Sequence, residues 1–295
     1  MFKKINQYLS LVKFAHTVFA LPFALIGFFL GVKNLERPFD FLLFIYVLLC
    51  MVFARNAAMG FNRYTDRKFD EKNPRTLNRE IPKKIINPQN ALIFVIVNAL
   101  LFILTTYFIN DICFYLSPVA LIVILGYSFT KRFTFICHLF LGLGLSLAPI
   151  GAYLAITGVF AWTPLFFSII VLFWVSGFDI IYSLQDKEID ASMHLKSVPV
   201  FLGIRNAIIF SIILHIICLI FIVYAGFIYP FGLIYWIGSA IFIGLLFYQH
   251  LLVKPNDLSK VNMAFATLNG IGSVVFSLFV LSDLFSQSIF EFLSF

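Results

Sequence analysis

The chain has 295 residues, 61% of them apolar and 12% charged, with 39 Phe and a mean hydropathy of +0.99. No water-soluble domain of this length can hide so much apolar surface, so the composition excludes a soluble enzyme and predicts an all-α polytopic membrane protein. The formal charge of +7 calls for no nucleic acid, because no soluble basic domain is present to bind one.

A membrane-crossing helix needs about 20 mostly apolar residues. Nine runs qualify in chain order: roughly 14–32, 40–60, 91–109, 112–130, 135–156, 162–184, 206–226, 230–252 and 263–285. The runs are long and unbroken rather than alternating, which argues against a membrane barrel. Lys3 and Lys4 precede the first run as they do in a secretory signal, but no small-x-small cleavage site follows, and the segment is read as retained. Cys50, Cys113, Cys137 and Cys218 stand singly and read as packing residues, with neither disulfide nor zinc indicated. Pro74, Pro82, Pro88 and Pro199 punctuate the polar loops, where helices are expected to end.

With nine spans, 19 of the 21 Lys and Arg fall on one side, leaving Lys33 and Arg37 on the other. The positive-inside rule then places a multi-pass protein in the cell inner (cytoplasmic) membrane, N-terminus in the cytoplasm and C-terminus outside. Two acidic clusters lie on the cytoplasmic side: Asn62, Asp66 and Asp70, then Asp179, Asp186 and Asp190. An offset of 120 residues carries Asp66 onto Asp186 and Asp70 onto Asp190. The chain therefore reads as a single domain, 1–295, with pseudo-repeat halves of about 1–134 and 135–295 running the same way through the bilayer.

At about 100° per residue, each cluster forms a stripe on one helix face, with Tyr182 beside the second and Glu188 turned about 180° away. Like charges at this spacing repel, and carboxylates beside lipid are costly, so a cation is expected between them. Magnesium suits them, because it binds through one or two carboxylates and keeps waters and phosphate oxygens in its shell. Arg75, Arg79, Lys131, Arg132 and Lys196 lie in loops on the same side, where they can grip an anionic leaving group. The five His show no H-E-x-x-H pattern, and Gly142 with Gly144 reads as a helix-packing feature rather than a phosphate cradle.

The segments N62-RYT-D66-RKF-D70, D179-IIY-SLQ-D186-KEI-D190 and YSFTKRFT (Tyr127 to Thr134) resemble signatures of the UbiA superfamily of intramembrane prenyltransferases. The resemblance implies a nine-helix bundle whose central cavity opens to lipid. It also implies transfer of a polyprenyl chain from its diphosphate to an aromatic ring. On the same resemblance, Asn62, Asp66, Asp70, Asp186 and Asp190 hold magnesium and diphosphate, and Asp179 and Tyr182 line the pocket. Lys13 to Thr17 replaces the segment typical of hydroxybenzoate enzymes, and KFAHTVFALPFA looks more like the dihydroxynaphthoate branch of menaquinone synthesis. His16 and Arg55 are candidates to meet the acceptor carboxylate. The expected partners are polyprenyl diphosphate, an aromatic acid and membrane lipid, with no nucleic acid and no obligate protein partner. Haem- or chlorophyll-type prenyl transfer and a cation-coupled carrier are the alternatives.

Overall fold

The computed structural model describes residues 2–13, 19–36 and 38–293, and within these ranges the side chains of residues 7–286. The chain opens with α1 (Phe2–Leu11), whose Leu11 packs with Ile81, Ile86 and Ala91. It continues into α2 (Leu21–Leu35), with Pro22 in its first turn. Capping side chains set the next starts: Asp40 accepts the Leu43 N–H at 3.0 Å to open α3 (Phe41–Thr65). After a four-residue helix α4 (Arg67–Asp70), Asn87 accepts the Gln89 N–H at 2.9 Å to open α5 (Pro88–Tyr107), and Asn110 accepts the Cys113 N–H at 2.9 Å to open α6 (Asp111–Thr130). Then follow α7 (Cys137–Thr157), α8 (Trp162–Ser183), α9 (Lys187–Ser192), α10 (Val198–Ile228), α11 (Leu233–Leu252) and α12 (Asn269–Leu293).

Among the described residues, eight helices are long and apolar enough to cross a membrane. The first predicted span differs: its apolar helix α2 has 15 residues, and residues 14–18 of that span lie outside the described residues. The seventh also differs, because α10 begins at Val198 and is interrupted at Gly203, whose φ of 78° and ψ of 165° lie outside helical space. Pro88 and Pro199 open helices rather than end them, since a proline in the first turn lacks only an N–H that has no helical partner anyway.

Neither acidic cluster lies on one unbroken helix. The first is divided at Asp66, between α3 and α4, and the second by a tight turn at Leu184–Asp186 between α8 and α9. The 100° projection holds only within a continuous helix, so the predicted stripes become two short arcs at helix ends. The 120-residue offset also carries α3 onto the position of α8, α4 onto α9 and α6 onto α11.

Helix α8 is the centre of the bundle, packing on α7, α10 and α2. Its Trp174, Phe167 and Ile170 are fully buried with Phe23, Phe242 and Phe276. Two glycines allow the closest approaches. A Cβ on Gly142 would stand 2.4 Å from the Leu172 carbonyl oxygen of α8, and one on Gly27 would stand 2.0 Å from the Pro149 oxygen of α7. Large apolar side chains such as Trp162, Phe227, Ile122 and Leu233 are exposed, as a lipid-facing surface requires. The described cysteines are all free.

Asp283 on α12 is buried and caps a neighbouring helix. Its carboxyl accepts the Gly232 N–H at 2.7 Å and the Tyr235 N–H at 3.1 Å, satisfying the first turn of α11. Asp283→Ala is expected to cost about 1–3 kcal/mol, the penalty for stranding buried donors. Thermal unfolding in detergent measures it, and an unchanged Tm contradicts the capping role.

Candidate active site

A cavity of about 620 Å³ lies where α3 and α8 end. Asn62, Asp66 and Asp70 line it from one half of the chain, and Asp179, Asp186 and Asp190 from the other. The two sequence motifs thus share one chamber.

Cations hold three of these acids, Asp66, Asp70 and Asp186. Asn62 Nδ2 donates to Asp66 Oδ2 at 3.1 Å, and Lys131 Nζ stands 3.7 Å from the same oxygen. Arg132 approaches Asp66 Oδ1 to 3.5 Å. Arg79 Nη1 donates to Asp70 Oδ1 at 2.7 Å. Across the cavity, Arg75 grips Asp186 with two donors, Nε at 2.9 Å and Nη2, and Asn73 Nδ2 adds a third bond at 2.9 Å. Arg75 also donates to the Tyr182 hydroxyl and lies 4.8 Å over its ring. The loop after the first motif is thereby fastened to the second.

Asp179 faces a partner that sequence reasoning passed over. His138 Nε2 lies 3.4 Å from the Val198 N–H, which can only donate, so the imidazole proton sits on Nδ1 and is given to Asp179 Oδ2 at 2.7 Å. The signal for His138 was slight, a lone histidine at the start of a span and 41 positions from its partner. Arg63, Glu80, Asn73 and Tyr127 also line the chamber, and none of them is among the expected site residues.

Of the other expected residues, Arg55 lies on the wall, with Nη2 donating to Lys13 O at 2.7 Å and Val12 O at 3.2 Å, while its buried Nε has no hydrogen-bond partner among the described residues. Lys196 is not brought in. Its Nζ donates to Phe133 O at 3.2 Å and its N–H to Lys131 O at 2.6 Å, so it fastens the loop behind Lys131. Arg132 reaches Asp66 from outside the wall while donating to Thr65 O at 2.9 Å. Glu188 is exposed and outside the chamber. His16 lies outside the described residues.

A second cavity of about 420 Å³, enclosed by α3, α5, α6 and α7, is almost wholly apolar. Arg55, Met59, Tyr127, Leu141 and Leu145 line both cavities, so the polar chamber adjoins the apolar one at Arg55 and Tyr127.

Burial raises the Asp66 carboxyl above its ordinary value of 3.8; Lys131 and Arg132 oppose this and Asp70 reinforces it. Burial also works to lower the Lys131 ammonium, but the carboxylates of Asp66, Asp190, Asp70 and Asp186 outweigh it and leave Lys131 raised. Asp70 Oδ2 is a buried oxygen with no hydrogen-bond partner among the described residues, and Asp66 Oδ1 is a buried oxygen with the Arg132 guanidinium 3.5 Å away. Among the described residues no three acids or imidazoles are grouped closely enough to enclose a metal as they stand. These two oxygens do fit an ion that takes one or two protein carboxylates and completes its shell with phosphate oxygens.

Comparison with known proteins agrees with this architecture. The sequence profile of the UbiA prenyltransferase family matches residues 20–271. A 4-hydroxybenzoate octaprenyltransferase of Nitrosomonas europaea is 29% identical over 261 residues, covering 88% of this chain and 87% of that protein. One from Vibrio vulnificus is 28% identical over 236 residues, covering 80% and 83%. The solved apo structure of a UbiA homolog from Aeropyrum pernix K1 superposes with a TM-score of 0.82 at 27% identity, covering 91% of this chain and 98% of that one. A UbiA homolog from Archaeoglobus fulgidus, bound to DMAPP and Mg2+, shares the fold with a TM-score of 0.74 at 22% identity, covering 94% and 99%.

The raised Asp66 carboxyl has a consequence for stability. Below pH 3.8 the group is neutral in both the folded and the unfolded chain; as pH rises through its higher folded value, ionisation of the buried group costs stability. Without divalent cations, Asp66→Asn is therefore expected to have a higher Tm than the parent at pH 7, and the gain to vanish below pH 3.8. A lower Tm at pH 7 contradicts this.

Proposed function

Because the chain belongs to the UbiA prenyltransferase family, we propose that it transfers a polyprenyl group from polyprenyl diphosphate to an aromatic hydroxy acid in quinone biosynthesis, with magnesium as the required ion. The observation that carries this reading is the junction of a charged chamber with an apolar one. An allylic diphosphate has the same two-part chemistry, a polyanionic head and a hydrocarbon tail. The names of the curated relatives support 4-hydroxybenzoate as acceptor, whereas the resemblance of KFAHTVFALPFA supports a dihydroxynaphthoate. In either case the acceptor is a carboxylated arene, which the Arg55 Nε–H at the junction, unpartnered among the described residues, suits.

Heterolysis of the allylic C–O bond leaves its electron pair on the departing diphosphate. Magnesium, when bound by Asp66 and Asp70 with Asn62, Asp186 and Asp190 around it, supplies charge neutralisation to that group. Arg75 and Lys131 add donors that bind it more strongly as its charge develops. The cation left behind faces the rings of Tyr182 and Phe178, in a wall that keeps water away. Attack by an electron-rich ring carbon forms the new C–C bond, and loss of the ring proton restores aromaticity.

The distribution of Lys and Arg supports an inner-membrane location with the chamber at the cytoplasmic side and the N-terminus there. A carrier reading is disfavoured by the position of the acids at helix ends, because carriers bind their ions near the bilayer midplane.

Purified protein with magnesium, geranyl diphosphate and either acid is expected to form the C-prenylated product. Asp66→Ala and Asp186→Ala each lower kcat/KM by about a hundredfold or more, and EDTA abolishes turnover until magnesium is restored. Folded protein that prenylates neither acid refutes the proposal. Mass spectrometry of a deletion strain identifies the acceptor: loss of ubiquinone points to hydroxybenzoate, loss of menaquinone to the naphthoate, and loss of a farnesylated haem to the haem-type alternative.

A further inference from the structure

A seam of hydrogen-bonded polar side chains crosses the bundle behind the chamber, linking α8, α10, α11 and α12. Trp174 Nε1 donates to Asn269 Oδ1 at 2.7 Å, and Asn269 Nδ2 donates to Gln249 Oε1 at 2.9 Å. Gln249 Nε2 can only donate, so at 3.1 Å it makes His215 Nδ1 an acceptor; His215 Nε2 then carries the proton and gives it to the Trp174 carbonyl at 3.1 Å. Trp174, Gln249 and Asn269 are buried, in surroundings where polar groups cost free energy unless paired. The prenyl-transfer chemistry uses none of them.

The seam ends at an irregular backbone. Met263–Leu268 forms a single π turn, in which the carbonyl register slips by one residue. Asn269 follows it, and the Nδ2 hydrogen not given to Gln249 is shared between Ala264 O at 2.8 Å and Phe265 O at 3.1 Å, holding the slipped turn. The turn sets Phe265 on the chamber wall, stacked on Tyr182 with ring centroids 4.1 Å apart and edge-on to Phe178 at 5.4 Å. Tyr182 in turn receives Arg75, which holds Asp186.

We propose that Asn269 is a positioning residue for the diphosphate site: it fixes the π turn that presses Phe265 against Tyr182, and Tyr182 so supported aims Arg75 at the anion. The proposal rests on the reading of the chamber as a prenyl diphosphate site. The seam explains why buried amide and imidazole groups persist in an apolar bundle, and the π turn explains how a helix outside both acid motifs reaches the chemistry.

The test is calorimetric binding of geranyl diphosphate with magnesium to the full chain in detergent, which needs no turnover. Asn269→Leu and Phe265→Leu are each expected to weaken binding by about tenfold or more, the range seen when supporting contacts of a metal site are lost. The double variant is expected to bind no more weakly than the worse single one, because both changes interrupt one route. Asp283→Ala is the control: it lies about 21 Å along α12 from Asn269, at 1.5 Å per residue, and is expected to lower Tm without changing affinity. Unchanged affinity in folded Asn269→Leu or Phe265→Leu, or additive losses in the double variant, overturns the proposal. Phe265→Leu decides the question alone should Asn269→Leu not fold. Parent protein that binds no geranyl diphosphate overturns the diphosphate reading itself, whereas a binding parent with unaffected variants overturns only the positioning role.

Discussion

A carboxylate at the lipid boundary needs positive charge or hydrogen-bond donors beside it, and the structure around this chamber follows from that constraint. Asp66, Asp70 and Asp186 each hold an Arg or a Lys, and the four cations, Arg75, Arg79, Lys131 and Arg132, all come from the loops that follow α4 and α6. The ion pairs are therefore also the fastenings of the loops: Arg75 ties the loop after the first motif to the second motif, and Lys131 ties the turn after α6 to the first.

The same constraint shapes the helix ends. Both motif helices stop short and continue as small helices, α4 and α9, after a break at an aspartate or just before one. The breaks point acids from two turns of chain toward one space, where an unbroken helix would carry the last acid past it. Inside the bundle, backbone contact at Gly27 and Gly142 leaves the apolar cavity to the α3, α5 and α6 side. A charged head and a hydrocarbon tail thus have adjoining places.

Much of this was legible in the sequence. The long apolar runs gave the crossing helices, because a bilayer fixes their length, and the charged residues stranded at their ends gave both halves of the chamber, because nothing else justifies such cost. What the sequence concealed was of two kinds. Helical projection presumes a continuous helix, so the breaks at Asp66 and at Leu184–Asp186 were invisible, and with them the separation of Asp179, which faces His138, from Asp186, which faces Arg75. Pairings between distant positions were equally hidden: His138 with Asp179, and Asn269 with Trp174 and the π turn, have no local pattern. Lys196 shows the converse, a loop lysine with the expected charge whose ammonium is taken by a nearby carbonyl.

The central claim is that both acid motifs act on one metal-bridged diphosphate. Manganese substituted for magnesium makes the ion visible to electron spin resonance, and a phosphate group whose oxygen coordinates it gives a hyperfine coupling to phosphorus. The account predicts that coupling when manganese and geranyl diphosphate are added together to the parent protein, and its loss in both Asp66→Ala and Asp186→Ala. Manganese bound without phosphorus coupling, or a coupling that survives removal of either aspartate, contradicts it.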